Sequence, residues 1–243
     1  MISKKIFAAN WKLHKNPDQT REFFKKFVGE LGDSAVQVCF FPSATSLEAT
    51  SQSLKSTKIK FGSQNCYSSS QGAFTGEISA QVVKDLGGQM VLVGHSERRK
   101  IFTESDSLIA DKIAHVQSLG LTPMFCIGET LQEREANKVS QVLETQIKVG
   151  LSKADSGKPV IVAYEPVWAI GTGKIATPAQ VMETHRIVYD LLSSIGFASA
   201  PILYGGSVKP DNSKELLQIP HVDGFLVGGA SLEVESFLAI VRS

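Results

Sequence analysis

Three polar residues of types used in proton-transfer chemistry, Glu165, His95 and Lys12, each stand just beyond a short apolar run of the sequence. A carboxylate buried under a loop has a raised pKa and can act as a general base. A neutral imidazole can donate a hydrogen bond to a carbonyl oxygen, and an ammonium group can stabilise a developing oxyanion. Together the three types indicate proton abstraction beside a carbonyl group.

Each of these residues also has a more ordinary interpretation. Glu165 could be a structural carboxylate paired with a cation, His95 a structural histidine, and Lys12 a solvated surface lysine. Lys12 could also form a Schiff base, but only with a depressed pKa. Ser96 and Glu97 look like the start of a short helix, and such a start disfavours a charged imidazolium at His95.

Three turns that contain glycine could bind an anion, and they cover residues 171–173, 204–207 and 228–231. Each turn alone is weak support, because glycine marks any tight turn. Backbone N–H groups at such turns, backed by a helix start, form a cradle for phosphate. The three turns together predict a ligand that carries a phosphate.

Composition restricts the partners. Lys plus Arg number 25 against 24 Asp plus Glu, and this net charge of +1 provides no field for nucleic acid or membranes. No complete metal, dinucleotide or phosphate-loop motif is present, and the three cysteines are scattered without paired spacing. We expect no cofactor, no metal, no nucleic-acid partner and no membrane anchor. The short apolar stretch near the N-terminus is interrupted too early for a signal peptide, so a cytoplasmic location is expected.

The elements that must position these residues alternate along the chain. Eight short apolar runs, typical of parallel strands buried on both faces, alternate with segments of helical periodicity. The runs are 6–10, 36–41, 59–64, 90–93, 122–127, 160–164, 202–204 and 224–227. Capping patterns that begin at Asn16, Thr130 and Thr177 predict three helix starts.

Local pattern alone suits a closed barrel and an open doubly wound sheet about equally. The position of the polar residues favours the barrel, because only a closed barrel brings the ends of the first, fourth, sixth, seventh and eighth runs to one mouth. We therefore predict a single (β/α)₈ barrel domain over residues 1–243. The longest irregular segments, 65–78 and 165–176, are expected to be functional.

Six segments closely resemble the triosephosphate isomerase family across nearly the whole chain. They are residues 9–12, 72–77, 94–99, 126–129, 163–174 and 204–208, and the stretch AYEPVWAIGTG at 163–173 is highly specific to that family. The resemblance implies interconversion of dihydroxyacetone phosphate and glyceraldehyde 3-phosphate, a step of glycolysis and gluconeogenesis, through an enediolate and without metal or coenzyme. It implies Glu165 as the base, a neutral His95 as the electrophile, and Lys12, Asn10 and Glu97 as supporting residues. It also implies that N–H groups at Gly171, Ser207, Gly228 and Gly229 hold the phosphate.

The resemblance further implies a lid that closes over the substrate and excludes water. The lid comprises Pro166, Val167, Trp168, Ala169, Ile170, Gly171, Thr172, Gly173, Lys174, Ile175 and Ala176. The family is usually dimeric, and residues 65–78, with Thr75 near the tip, resemble the loop that reaches into the neighbouring subunit. Near that docking site, His14 stands where the family commonly has an asparagine. The resemblance therefore does not determine the detailed contacts of the interface.

Two other functions fit part of this pattern. An aldolase would use Lys12 as an amine, but the sixth run ends in a glutamate and not a lysine. An inactive barrel could bind a phosphorylated ligand, but Asn10, Lys12, His95 and Glu165 are all present. Two structural expectations complete the interpretation: an internal Arg98–Glu104 ion pair, and Cys126 as a small buried core residue.

Overall fold

Eight parallel strands form a closed barrel in chain order, with the last strand paired to the first. The structure is a computed structural model that describes residues 5–32, 36–170 and 174–243. The strands are β1 (Ile6–Asn10), β2 (Gln37–Phe41), β3 (Lys60–Ser63), β4 (Met90–Val93), β5 (Thr122–Ile127), β6 (Ile161–Tyr164), β7 (Ile202–Tyr204) and β8 (Gly224–Val227). The barrel prediction is confirmed, and no strand bound differs from the predicted one by more than one residue.

Helices surround the barrel. In chain order they are α1 (Pro17–Leu31), α2 (Leu47–Leu54), α3 (Ala80–Asp85), α4 (Ser96–Ile101), α5 (Asp106–Ser118), α6 (Leu131–Glu135), α7 (Val139–Gly150), α8 (Pro178–Ser194), α9 (Ser213–Leu216) and α10 (Val234–Val241). The three predicted capping boxes are present, at the starts of α1, α6 and α8. In each box the side chain of the capping residue accepts a backbone N–H that the helix leaves unpaired.

In every strand except β3, alternate residues belong to two separate apolar clusters. On β6, Ile161 and Ala163 point into an inner cluster that fills the barrel, whereas Val162 and Tyr164 join the outer cluster under the helices. This double burial explains why the strands are apolar throughout. Above this filled interior, a cavity opens at the carboxyl ends of the strands.

The three cysteines are free and buried. Cys126 lies buried in the inner cluster, so the expectation of a small buried core residue is confirmed, and burial raises the pKa of its thiol well above the usual value. In the described part of the chain, no helix is long and apolar enough to cross a membrane.

Candidate active site

The strand ends border a cavity of about 390 Å³. Its lining comes from β1, β4 and β6 and from the turns that follow β7 and β8. The predicted site residues among the lining are Asn10, Lys12, His95, Glu165, Ser207, Gly228 and Gly229. Residues from five separate strand ends therefore meet in one space.

Glu165 is the residue directly after β6, and it is only 2% exposed. Its Oε2 accepts the Ser96 backbone N–H at 2.9 Å, and its Oε1 lies 3.0 Å from Nε2 of His95. Burial alone raises the pKa of Glu165, as the sequence suggested, but His95 and the Ser96 N–H outweigh burial and hold this pKa below its usual value. The carboxylate is thus ionised at neutral pH, with both of its oxygens in use.

His95 caps the N-terminus of α4, as its neighbours in the sequence suggested. Its Nδ1 accepts the Glu97 backbone N–H at 3.2 Å. In the neutral ring the proton therefore sits on Nε2, which donates to Glu165. Burial opposes a charge on the ring, but the Glu165 carboxylate raises the pKa of His95 above its usual value. This pKa shift runs against the neutral imidazole expected from the helix start, and Glu165 is its cause.

Lys12 and Glu97 form an ion pair at the edge of the cavity, with Nζ 2.5 Å from Oε1. Lys12 has a φ of 50°, a left-handed conformation that is uncommon outside glycine. Two contacts hold its backbone: its N–H donates to Asn10 Oδ1 at 3.1 Å, and its carbonyl accepts from Gln64 Nε2 at 2.8 Å. The side chain of Lys12 is thereby directed towards Glu97 and the cavity.

The turns after β7 and β8 form a further part of the cavity wall, and a Cβ at Gly228 would lie 3.8 Å from Lys12 Cε. The hydroxyl of Ser207 donates to the carbonyl of Ala169 at 3.0 Å, so this turn touches the lid segment. Gly228 precedes a short 3₁₀ helix, Gly229–Ser231, and a side chain added at Gly229 would meet nothing within 4 Å. Gly171, the remaining predicted phosphate residue, lies outside the described residues, as do Thr172 and Gly173.

Of the predicted lid, residues 166–170 and 174–176 are described. Val167–Ala169 forms a 3₁₀ helix, and Trp168 Nε1 donates to Glu129 Oε1 at 2.7 Å. That oxygen also accepts Arg134 Nε at 2.8 Å and the Tyr164 hydroxyl at 3.1 Å. The predicted first hinge of the lid is thus held by a buried carboxylate.

Sequence reasoning missed several residues of the site. Glu129 stands two positions beyond β5. The expectation that polar residues at strand ends meet at the mouth of the barrel, which led to Glu165, would therefore have found Glu129 as well. The Ser96 N–H and the Gln64 amide carry no such signal, because their importance depends on which strand ends meet. His14, expected near a docking site, also lines the cavity.

In the described ranges, no group of three or more His, Cys, Asp or Glu side chains is placed to hold a metal ion. A closed barrel whose mouth gathers a carboxylate, an imidazole, a cation and glycine turns defines an enzyme of the (β/α)₈-barrel class. The profile of the triosephosphate isomerase family matches residues 5–243. The chain belongs to the triosephosphate isomerase family, and it is an isomerase.

Three relatives illustrate the similarity. The chain is 69% identical over 237 residues to triosephosphate isomerase of Bdellovibrio bacteriovorus, with 98% of each chain covered. It is 47% identical over 246 residues to the enzyme of Chlamydia muridarum, covering 99% of this chain and 91% of that one. It is 46% identical over 249 residues to the enzyme of Syntrophotalea carbinolica, covering 99% and 98%.

Proposed function

We propose that this enzyme interconverts dihydroxyacetone phosphate and D-glyceraldehyde 3-phosphate, with Glu165 moving the proton between C1 and C2. The observation that carries the proposal is a buried carboxylate 3.0 Å from an imidazole at the mouth of the barrel. General base catalysis by such a group is worth on the order of 10² to 10⁴ in rate. Membership of the family supports the same reaction.

The neighbouring groups stabilise the enediolate. His95 donates from Nε2 to the carbonyl oxygen, while Lys12 places a cation beside the developing oxyanion. Asn10 orients the site through its contact with the Lys12 backbone, and Glu97 holds the ammonium group of Lys12. All of these contacts require groups that are fixed before the substrate arrives.

Closure of the lid prepares the base. Both oxygens of Glu165 contact Ser96 and His95 in this structure, so the carboxylate must exchange these contacts for the substrate. Glu165 adjoins Pro166, the first residue of the lid, and closure therefore moves the base. As the carboxylate leaves His95, the charge that raises the pKa of His95 is removed and burial favours the neutral ring.

The phosphate binds at the glycine turns. Backbone N–H groups of Gly171, Ser207, Gly228 and Gly229 hold it, and the start of the Gly229–Ser231 helix faces it. Lys12 adds a positive charge on the same side of the cavity. The closed lid keeps water from the enediolate, which otherwise loses its phosphate by elimination.

We also propose that two copies of the chain form a dimer by exchanging the loop 65–78. The loop is closed at its base by a bond from the Tyr67 N–H to the Ile78 carbonyl, and residues 71–77, Thr75 among them, are exposed. A second cavity of about 390 Å³ is lined by Leu13 and Phe102, which are 97% and 60% exposed. A two-fold dimer in which each loop fills the partner's cavity covers both features.

Sedimentation at micromolar concentration tests the dimer, and a fully active monomer there would contradict it. A dimeric barrel comprising residues 1–243 as one catalytic domain suits a cytoplasmic enzyme of glycolysis and gluconeogenesis.

Proton exchange at C1 of dihydroxyacetone phosphate in deuterated water tests the reaction. The protein is compared with Glu165→Gln, and with Glu183→Gln as a control at an exposed position. We expect exchange and aldehyde formation in the wild type and the control, and a loss of at least about 10²-fold in Glu165→Gln. Exchange that survives in Glu165→Gln would reject Glu165 as the base, whereas none in any protein would indicate a phosphate-binding barrel.

A further inference from the structure

A buried lysine lies behind the active site. Lys112 of α5 is 2% exposed, and its Nζ donates to Glu104 Oε1 at 2.5 Å and to Asn65 Oδ1 at 2.8 Å. Lysine is almost never fully buried unless it is paired, because its charge loses hydration. Lys112 joins the segments that follow β3 and α4, which are distant in the sequence.

The first connection leads to the helix that carries His95. Glu104 Oε1 also accepts Arg98 Nε at 2.6 Å, so the predicted ion pair is present and Lys112 extends it. Arg98 belongs to α4, and its N–H donates to the His95 carbonyl at 2.8 Å. The position of Glu104 is therefore transmitted to the first turn of α4, where Glu97 also lies.

The second connection leads to Lys12. Asn65 directly follows Gln64, whose amide donates to the carbonyls of Lys12 at 2.8 Å and Phe41 at 2.9 Å. Gln64 thus holds the backbone of Lys12 in its left-handed conformation. Lys112 fixes Asn65, the residue next to Gln64.

The two connections meet again at the ion pair between Lys12 and Glu97. Together with the peptide links Gln64–Asn65 and Glu97–Arg98, these contacts form a closed ring that runs from Lys112 through Asn65, Gln64 and Lys12 to Glu97, and back through Arg98 and Glu104. We propose that Lys112 is a positioning residue that fixes Lys12 relative to His95 and Glu97, and so determines turnover. This inference rests on the proposed function, because the proposed function is what assigns Lys12, His95 and Glu97 to the reaction.

The test compares Lys112→Met with Asn65→Ala, which breaks the same contact from its other end. Lys153→Met is the matched control. Lys153 forms an exposed ion pair, 2.6 Å long, with Asp111, which lies on α5 beside Lys112. Misplacing a catalytic group by about 1 Å can cost roughly 10² in rate. We expect about a tenfold lower kcat in both ring variants, a KM within about twofold of the wild type, and no change in the control.

Three further measurements separate positioning from other causes. Denaturant unfolding gives the folded fraction, and an unchanged kcat per folded molecule would overturn the proposal. Activity is measured over a range of chain concentrations, and a deficit that vanishes as concentration rises would assign the effect to subunit association. If Lys112→Met does not fold, Asn65→Ala decides, because it leaves Lys112, Glu104 and Arg98 paired.

The wild type separates this inference from the proposed function. A wild type without isomerase activity would reject the proposed function itself. An active wild type with equally active ring variants would reject only the role of Lys112.

Discussion

A single methyl group added at Gly205 should slow the reaction by displacing the side chain of Glu165. Gly205 directly follows β7, and its N–H donates to the Tyr164 carbonyl at 2.8 Å. The φ of Gly205 lies outside the left-handed region, so the backbone at this position can accept alanine. A Cβ at this position would lie 3.0 Å from Glu165 Cγ and 3.3 Å from the Tyr164 carbonyl oxygen. The Gly205→Ala substitution therefore acts mainly by pushing the side chain of the base.

The size of the effect follows from these distances. Carbon atoms in contact prefer roughly 3.5 to 4.0 Å, so Glu165 must shift by about 0.5 to 1 Å. Because a misplacement of about 1 Å can cost roughly 10², we expect kcat to fall by about 10-fold to 100-fold. KM should change less than kcat, because the nearest atoms to the added methyl group belong to Glu165 and Tyr164 and not to Ser207, the proposed phosphate ligand in this turn.

Steady-state kinetics in both directions of the reaction measures the effect. Gly29→Ala is the control: it lies on the exposed face of α1, where a Cβ meets nothing within 4 Å. The control should leave kcat unchanged and stabilise the helix by about 0.5 to 1 kcal/mol. If folded Gly205→Ala retained kcat within about twofold of the wild type, the reasoning from the position of the base would be refuted.

Two further predictions concern stability and assembly. Burial lowers the pKa of His185 to about 4 from 6.5, so the unfolded chain binds a proton between these values that the folded protein does not. Stability contributed by neutral His185 is complete above pH 6.5 and falls by ~3 kcal/mol as the pH drops to about 4. Urea unfolding at neutral and acid pH should show that the free energy of unfolding falls less in His185→Gln than in the wild type. An equal fall in both proteins would reject the assignment of this pH dependence to His185. Leu13→Glu should shift sedimentation to the monomer, because Leu13 is 97% exposed and a charge opposes apolar docking; an unchanged dimer would place the interface elsewhere.

The fold could be predicted closely, because each strand is buried on both faces and its apolar run has sharp limits. Polar residues end the runs at Asn10 and Glu165, and glycine follows Tyr204 and Val227. The choice of a closed barrel over an open sheet needed the further argument that these ends must meet. Local sequence patterns alone do not determine whether the strands form a closed barrel or an open sheet.

The electrostatics of the site could be predicted only in part. Desolvation of Glu165 follows from its place at a buried strand end, but the opposing effects come from Ser96 and His95, about 70 positions away. The ring through Lys112 was missed for the same reason, although the Arg98–Glu104 pair within it is local and was expected. Contacts between distant segments depend on topology and register, which a single sequence states only indirectly.

The inner cluster of the barrel also sets how the enzyme can discriminate by size. Leu226 belongs both to this cluster and to the wall of the substrate cavity. The strands beneath it form a complete hydrogen-bonded ring without an edge that could yield, and packed interiors compress little. The cavity thus has a rigid base beneath the proposed lid, and we expect a bulkier ligand to fit only when that lid stays open. Oversized molecules would then be rejected by slow chemistry even where they bind.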